Sequence, residues 1–490
     1  MPARDGAASV PRVSLAWPLV VAGAGIVVGT GAALAAYALH PIAVPLVLVA
    51  VLFVLAALHR PAWGVTGAFL AMPLELVQLE LPSGALSPAE AAFAIVAVCW
   101  VLRAIIAPET VVLPSLRDTA IVVLLGVMLV GVAVAVEPST ALRVAIMWTV
   151  FYLAYLTARS LTAEEVRVVT IAFVVATGVL GAIGTADFLQ SNAIQLGGGG
   201  FVTGDRAEGT FVDPNYYASL LLLGVLPALA LLLNDPRHRL LLAVPVVATL
   251  AGITFSLSRG AIVGFAFGAL VILLAGGRGR GLALGIGLVL AATTMLNVNP
   301  LLGSDELSSV NQRLSTLNKS LVAVDQRPRI WGAAIDVAVE NPLVGVGTKQ
   351  FEFAALRRGI TERGAPVENV HNIPLGVLAE HGVIGLAAFL VFLGQLFGRG
   401  VRALRLRDGL GHTLALGLLA GLGAFLIQGL TQSQLRVNVV AGAFFVVAGM
   451  LTALADRADP DQRATGVSRS RERFPSSRRR LSRPLRSPSV

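Results

Sequence analysis

Apolar runs of about 20 residues recur along the chain, each long enough to cross the hydrocarbon of a bilayer as one helix. Such a chain cannot close a water-soluble core. Of its 490 residues 56% are hydrophobic and 13% charged, and mean hydropathy is +0.80. The pattern predicts an all-α polytopic membrane protein with about 12–14 transmembrane helices and one long outward-facing loop. Fourteen spans are expected near 17–39, 42–58, 63–79, 88–107, 119–136, 139–159, 166–189, 214–234, 239–256, 260–276, 281–298, 372–398, 411–431 and 436–455. Residues 241–275 are read as two of these. As one helix they would be about 52 Å long, against about 30 Å of hydrocarbon, with Arg259 central and costly. A turn at "SLSRGA" removes both problems.

Basic residues set the expected orientation. Arg4 and Arg12 precede the first span, and residues 456–490 hold ten arginines and four acids, +6 of the formal net charge of +9. Both termini are therefore expected in the cytoplasm. Arg60, Arg103, Arg117, Arg159, Arg167, "DPRHR" at 235–239, "GRGR" at 277–280 and Arg399 to Arg407 fall on alternate loops, in step with fourteen spans. The reading gives a short cytoplasmic N-terminus (1–16) and spans over 17–298 with an outer loop at 190–213. A large outer loop with short helices (299–371), further spans (372–455) and a disordered tail (456–490) complete it. The tail's composition cannot bury a core and suits anionic headgroups; nucleic acid is not an expected partner. The lone cysteine, Cys99, excludes an intrachain disulfide. Nothing resembles a cleavable signal peptide, so the first span is expected to stay as an anchor.

The outer loops carry the chemistry. Residues 190–215 supply Arg206, Glu208, Thr210, Asp213 and Asn215; the turn after the ninth span supplies Ser258 and Arg259. The large loop supplies Arg327, Arg329 and Trp331 on a helix expected over 329–340, then His371-Asn372 where an apolar run begins. Each has a plainer reading. Arg259 can snorkel to headgroups, Arg327 and Arg329 can be a solvated helix start, and "GGGG" at 197–200 can be slack. Asp213, Asn215 or the His371-Asn372 pair can cap a helix. Together they suit a phosphorylated lipid headgroup, because guanidinium binds phosphate as a permanently charged fork. A neutral histidine beside it can take a hydroxyl proton.

Four segments occur in order: "EGTFVDPNYYASLLLLGVLPALALLL", "TFSLSRGAIVGF", "RPRIWGAAIDVAVENPLVGVGTKQF" and "VHNIPLGVLAEHGVIGLAAFL". Over roughly 205–395 they resemble the O-antigen ligase and O-antigen polymerase superfamily of bacterial envelope glycan enzymes. The most specific block is His371-Asn372 followed by Gly382 and Gly385; next is Arg327, Trp331, Asn341, Pro342, Gly345 and Gly347. The resemblance implies a membrane glycosyltransferase of the polytopic, GT-C-like kind in the bacterial cytoplasmic membrane, its active site facing the periplasm or exterior. It would move a glycan from a polyprenyl-pyrophosphate donor to a hydroxyl on a glycan, glycolipid or protein acceptor, inverting the anomeric centre without metal or cofactor. Carried over by position, His371 is the base and Arg206, Arg259 and Arg327 are the pyrophosphate contacts. Glu208, Asp213, Asn215, Arg329 and Asn372 are supporting or alternative residues. Fourteen spans exceed the dozen or so expected of the family. A glycolipid flippase or other transporter is the rival from another class. It predicts charges along the spans and repeated halves, whereas the charges here cluster on one side and no repeat is evident.

Overall fold

A backbone in lipid must satisfy its own N–H and C=O groups, so the apolar runs become helices. In the computed structural model of the chain, residues 43–81, 84–195, 206–211, 213–234, 239–275, 326–362, 365–406 and 408–458 are described. The expected spans 17–39 and 281–298, the glycine run 197–200 and the tail beyond 458 lie outside them. The first helices are α1 (Ala43–His59), α2 (Pro61–Leu70), α3 (Pro88–Ile106), α4 (Thr119–Val134), α5 (Pro138–Arg159), α6 (Ala163–Gln195) and α7 (Pro214–Asn234). Then come α8 (Arg239–Phe255), α9 (Arg259–Ala275), α10 (Arg327–Glu340), α11 (Phe351–Arg357), α12 (Ile373–Ala403), α13 (Gly409–Gln428) and α14 (Asn438–Ala458). Two small antiparallel hairpins interrupt them, β1 (Leu79–Leu81) with β2 (Gly84–Leu86), and β3 (Thr361–Glu362) with β4 (Ala365–Pro366). Among the described residues, eight helices are long and apolar enough to cross a membrane. The protein is an all-α polytopic membrane protein.

The last helix fills the centre. Every residue of α14 from Val439 to Ala455 is buried, and Phe444 and Phe445 pack on Phe425, Phe392, Phe151 and Trp148. Helices α5, α12 and α13 close on α14, while α7 and α9 pack on α13. The outer helices turn Val98, Leu129, Ile146, Val175, Val263 and Leu390 outward, a surface suited to lipid rather than water.

Hydrogen bonds between loops fall into two separate sets. At one end Arg159 pairs with Asp118 and Asp456, Arg399 bonds Tyr155 and the Arg117 carbonyl, and Arg103 bonds the Leu58 carbonyl. At the other end Glu137 N–H donates to Gln350, Asn438 to Glu90, and Ser258 to Asn215. The second set joins the loops that carry the candidate residues.

The third expected span, 63–79, is corrected. Its helix α2 stops at Leu70, and ten residues rise only about 15 Å. Pro73 and the polar Glu75 and Gln78 follow, and the chain continues as a 3₁₀ turn (Met72–Leu74) into β1. That non-helical stretch is tolerated because it packs on α3 and α6. The turn between the ninth and tenth spans forms as expected, between Phe255 and Arg259. Helix α10 begins two residues earlier than expected, with Pro328 in its first turn.

One helix is broken on purpose. Within α12, Gly382 has φ +63° and ψ −168°, far from helical values. The polar groups this frees are taken up by the segment after α10. Val346 and Gly347 N–H groups donate to the Ala379 and Glu380 carbonyls (3.1 and 2.9 Å). Val383 and Ile384 N–H groups donate to the Pro342 and Leu343 carbonyls (2.8 and 3.3 Å). The approach is so close that a Cβ at Gly382 would lie 2.3 Å from the Leu343 carbonyl, and one at Gly345 2.3 Å from that of Glu380. The two glycine-bearing blocks of the sequence are thus halves of one interlock. Glu380 and Arg436 pair beside it, and burial with the nearby Arg436 holds the Lys349 ammonium below its ordinary range.

Gly382→Ala should therefore destabilise the protein severely. Its positive φ with extended ψ is a region populated essentially by glycine and costs an alanine about 1–3 kcal/mol, and the clash adds to it. Thermal unfolding in detergent checks this; a melting temperature equal to wild type would remove the interlock from the account of the fold.

Candidate functional site

Asn215, in the first turn of α7, is the hub of the site. Asp213 caps that helix, its Oδ1 accepting from the Asn215 and Tyr216 N–H groups (2.6 and 3.4 Å). Asn215 Oδ1 accepts from Arg206 Nη2 and from Ser258 Oγ, both at 3.0 Å. The Asn215 carbonyl accepts from Gln428 Nε2 at 3.0 Å, at the end of α13. Arg206 Nε also donates to the Ser256 carbonyl at 2.7 Å, and the Ala207 N–H to that of Phe255. Asn215 thereby ties Arg206, the α8–α9 turn and the end of α13 together, the first two through its side-chain oxygen and the last through its carbonyl. Arg259 follows Ser258 directly and is exposed. A Cβ on Gly260 would lie 2.8 Å from Thr431 Oγ1, so the start of α9 abuts the α13–α14 loop.

His371 sits between that loop and α7. Its backbone N–H donates to Asn369 Oδ1 (2.9 Å), and Asn369 Nδ2 donates to Tyr216 Oη (3.1 Å). Its φ is +53°, a conformation few residues other than glycine adopt, and such strain concentrates at functional sites. The ring Nδ1 lies 3.0 Å from Gln432 Oε1. With the Gln432 oxygen facing the ring, Nδ1 would carry the proton; with the amide turned over, its nitrogen would donate to Nδ1 instead. Gln432 is 2% exposed, and its Nε2 has no hydrogen-bond partner among the described residues, leaving a buried donor beside the imidazole. Asn372 caps α12: its Oδ1 accepts from Leu375 N–H (2.9 Å), while its own N–H and Nδ2 donate to Ser433 Oγ and the Leu430 carbonyl. The cap therefore belongs to Asn372, not to His371.

Helix α10 supplies the third arginine. Trp331 Nε1 donates to the Val370 carbonyl (3.0 Å), immediately before His371. Arg327 lies one turn earlier on the same side of the helix. Arg329, two residues on, belongs to another face; its Nη2 approaches the Gly359 carbonyl and it lines an open groove with Asp336, Glu340 and Arg358. The structure thus brings the segments of Arg206, Arg259 and Arg327 to His371 and places Arg329 apart. Glu208 stands near Arg206. Burial, then the neighbouring Asp213, pushes its carboxyl above the ordinary range.

Three residues escaped the sequence reading: Gln432, Asn369 and Tyr216. The signal for Gln432 was present in "TQSQ" at 431–434, a polar cluster between two apolar runs. Among the described residues no group of three or more His, Cys, Asp or Glu is arranged to hold a metal ion.

Fold and site together define a multi-pass membrane protein with a polar, arginine-bearing site at one end of its helices. Residues 244–390 match the model of the family described as O-Antigen ligase, the superfamily that the motifs resemble. The matched stretch holds Ser258, Arg259, Arg327, His371 and Asn372; Arg206 and Asn215 precede it. The search of curated proteins gives no match.

Two outcomes follow. Asn215→Ala removes the acceptor shared by Arg206 and Ser258, and should lower stability by about 1–3 kcal/mol, the cost of a buried polar group left unsatisfied. Thermal unfolding reads this. Because the Glu208 carboxyl titrates above its ordinary value of 4.5, its charged form weighs against folding at neutral pH. Glu208→Gln should raise the melting temperature slightly at neutral pH, with the gain vanishing as pH falls below that ordinary value. A gain that grows on acidification contradicts the assignment.

Proposed function

We propose that this protein transfers a glycan from a polyprenyl-pyrophosphate carrier to an acceptor hydroxyl at the outer face of the bacterial cytoplasmic membrane, in surface polysaccharide assembly. The observation that carries this reading is the convergence of three arginine-bearing segments on one histidine held in a strained backbone, with its Nδ1 against the Gln432 side chain. His371 Nε2 takes the acceptor's proton while that oxygen attacks the anomeric carbon. The bond from that carbon to the pyrophosphate oxygen breaks, its electron pair leaves with the pyrophosphate, and the configuration inverts. Arg206, Arg259 and Arg327 balance the charge that develops on the leaving group. Gln432 is a positioning residue that keeps the Nε2 lone pair available. The site lies at one polar end of the helices because the substrates are amphipathic, with lipid in the bilayer and sugar in water.

The test is transfer from a defined lipid-linked glycan by purified protein, with glycan, glycolipid and protein acceptors offered in parallel. His371→Ala and His371→Asn should each lose about 10²–10⁴ in rate, with expression and donor binding near wild type. The wild-type rate should fall on the acid side as the imidazole gains a proton. Gln432→Leu should cost about fivefold, the equivalent of one hydrogen bond near 1 kcal/mol. An active His371→Asn enzyme with an unchanged pH profile would sink the base assignment.

The arginines and the topology have their own checks. Lysine at 206, 259 or 327 should restore little, since one ammonium does not reproduce the guanidinium fork. Activity should survive a chelator; loss to EDTA with recovery in magnesium would assign the leaving-group charge to a metal instead. A cysteine at an exposed position of 341–371 should label with an impermeant reagent in intact cells. Labelling only after the cytoplasmic membrane is permeabilised places the site on the wrong side for this donor.

A further inference from the structure

Helix α10, "RPRIWGAAIDVAVE", is apolar on two opposite faces. One face, with Ile330, Ala333, Ala334 and Val337, is buried against Phe351, Val367, Val370 and Ala379. The charges Arg329, Asp336 and Glu340 all fall on one flank, along an open groove whose rim Gly332 and Val339 share. Directly opposite the buried face stand Pro328, Gly332, Ile335 and Val339, at the three- and four-residue spacing that puts them in one line. Ile335 is 49% exposed and Val339 75%, and Leu343 just beyond the helix is 61% exposed. A helix covering a core in water turns its charges away from that core. This one turns a bare aliphatic line away from it.

That line does not end in water. The Leu343 carbonyl accepts from Ile384 N–H and the Pro342 carbonyl from Val383 N–H, where α12 resumes after its break at Gly382. Val383 and Ile384 are exposed, and Leu390 and Val391 continue the same outward surface along the membrane-crossing part of α12. We propose that α10 lies in the bilayer interface, with Ile335, Val339 and Leu343 among the acyl chains of one leaflet and Asp336 and Glu340 at headgroup level. The partner is the lipid itself. The consequence for the site is one of depth: α10 carries Arg327 and Trp331, and a helix resting on acyl chains holds them at the level of lipid phosphates. The placement stands independently of the reaction proposed above.

The test uses the full chain in proteoliposomes, in a Cys99→Ala background that removes the single native thiol. An environment-sensitive nitrobenzoxadiazole label is attached in turn to Val339→Cys, Asp336→Cys and, as a lipid-facing reference on α12, Leu390→Cys. All three side chains are exposed, so the fold is not at stake. Vesicles containing phosphatidylcholine brominated along its acyl chains should quench the label at 339 comparably to that at 390, and leave the label at 336 nearly unquenched. Equal, weak quenching at 339 and 336 overturns the proposal in favour of a water-facing helix. A label at 339 shielded from an aqueous reductant yet untouched by brominated lipid also overturns it, because protein, whether residues 276–325 or a second copy, then covers the line.

Discussion

The backbone of α12 breaks at Gly382, and the rest of the candidate site depends on how that break is closed. A carbonyl or N–H left bare at membrane depth costs several kcal/mol, so the segment 342–347 is held there by four main-chain hydrogen bonds. That segment is the exit of α10 and the entrance to α11. Fixing it fixes α10, and through the Trp331 indole it fixes Val370 and the turn that carries His371. The Glu380–Arg436 pair ties the same break to the α13–α14 loop, which also supplies Gln432 to the imidazole. The break and the histidine are therefore held by the same two segments.

A second constraint acts through Asn215. Its one amide oxygen takes two donors and its carbonyl takes the Gln428 amide, so three helix ends meet over a single residue. With the burial of Ala207 and Phe211, this holds Arg206 beside the α8–α9 turn. A polar hub of this kind is all-or-none: with every partner present it rigidifies, and with one missing the others are buried without recompense.

Much of this was legible in the residues, for reasons that can be named. The eight spans long enough to cross a membrane followed from length and hydropathy, and Arg259 forced a turn where a single helix would have buried a charge. The failure at 63–79 has the same root. Mean hydropathy registers Met72, Leu74 and Leu76 as membrane, but Pro73 forbids the helix from continuing, and a window average does not weigh that. At the site, the arginines and His371 were visible as charged residues on outer loops. Their partners were not, because Asn369, Tyr216 and Gln432 are unremarkable singly and meet only through tertiary contact across 153 and 61 positions of chain. The choice between Arg327 and Arg329 likewise needed the face of α10 that meets Val370. The indole hydrogen bond identifies that face, and Arg327 lies nearer to it than Arg329.

The burial of α14 bears on how the protein is made. Helices α5, α12 and α13 all close on it, and Asp456 at its far end completes the charge balance of Arg159. Yet α14 leaves the ribosome after all of them. Until it does, Phe151 and Tyr155 of α5 lack their contacts with Phe445 and Thr452, and of its two carboxylate partners Arg159 has only Asp118. The centre of the bundle is therefore closed by the last of the described helices to be synthesised. A chain stopped before residue 438 lacks the helix on which α5, α12 and α13 close.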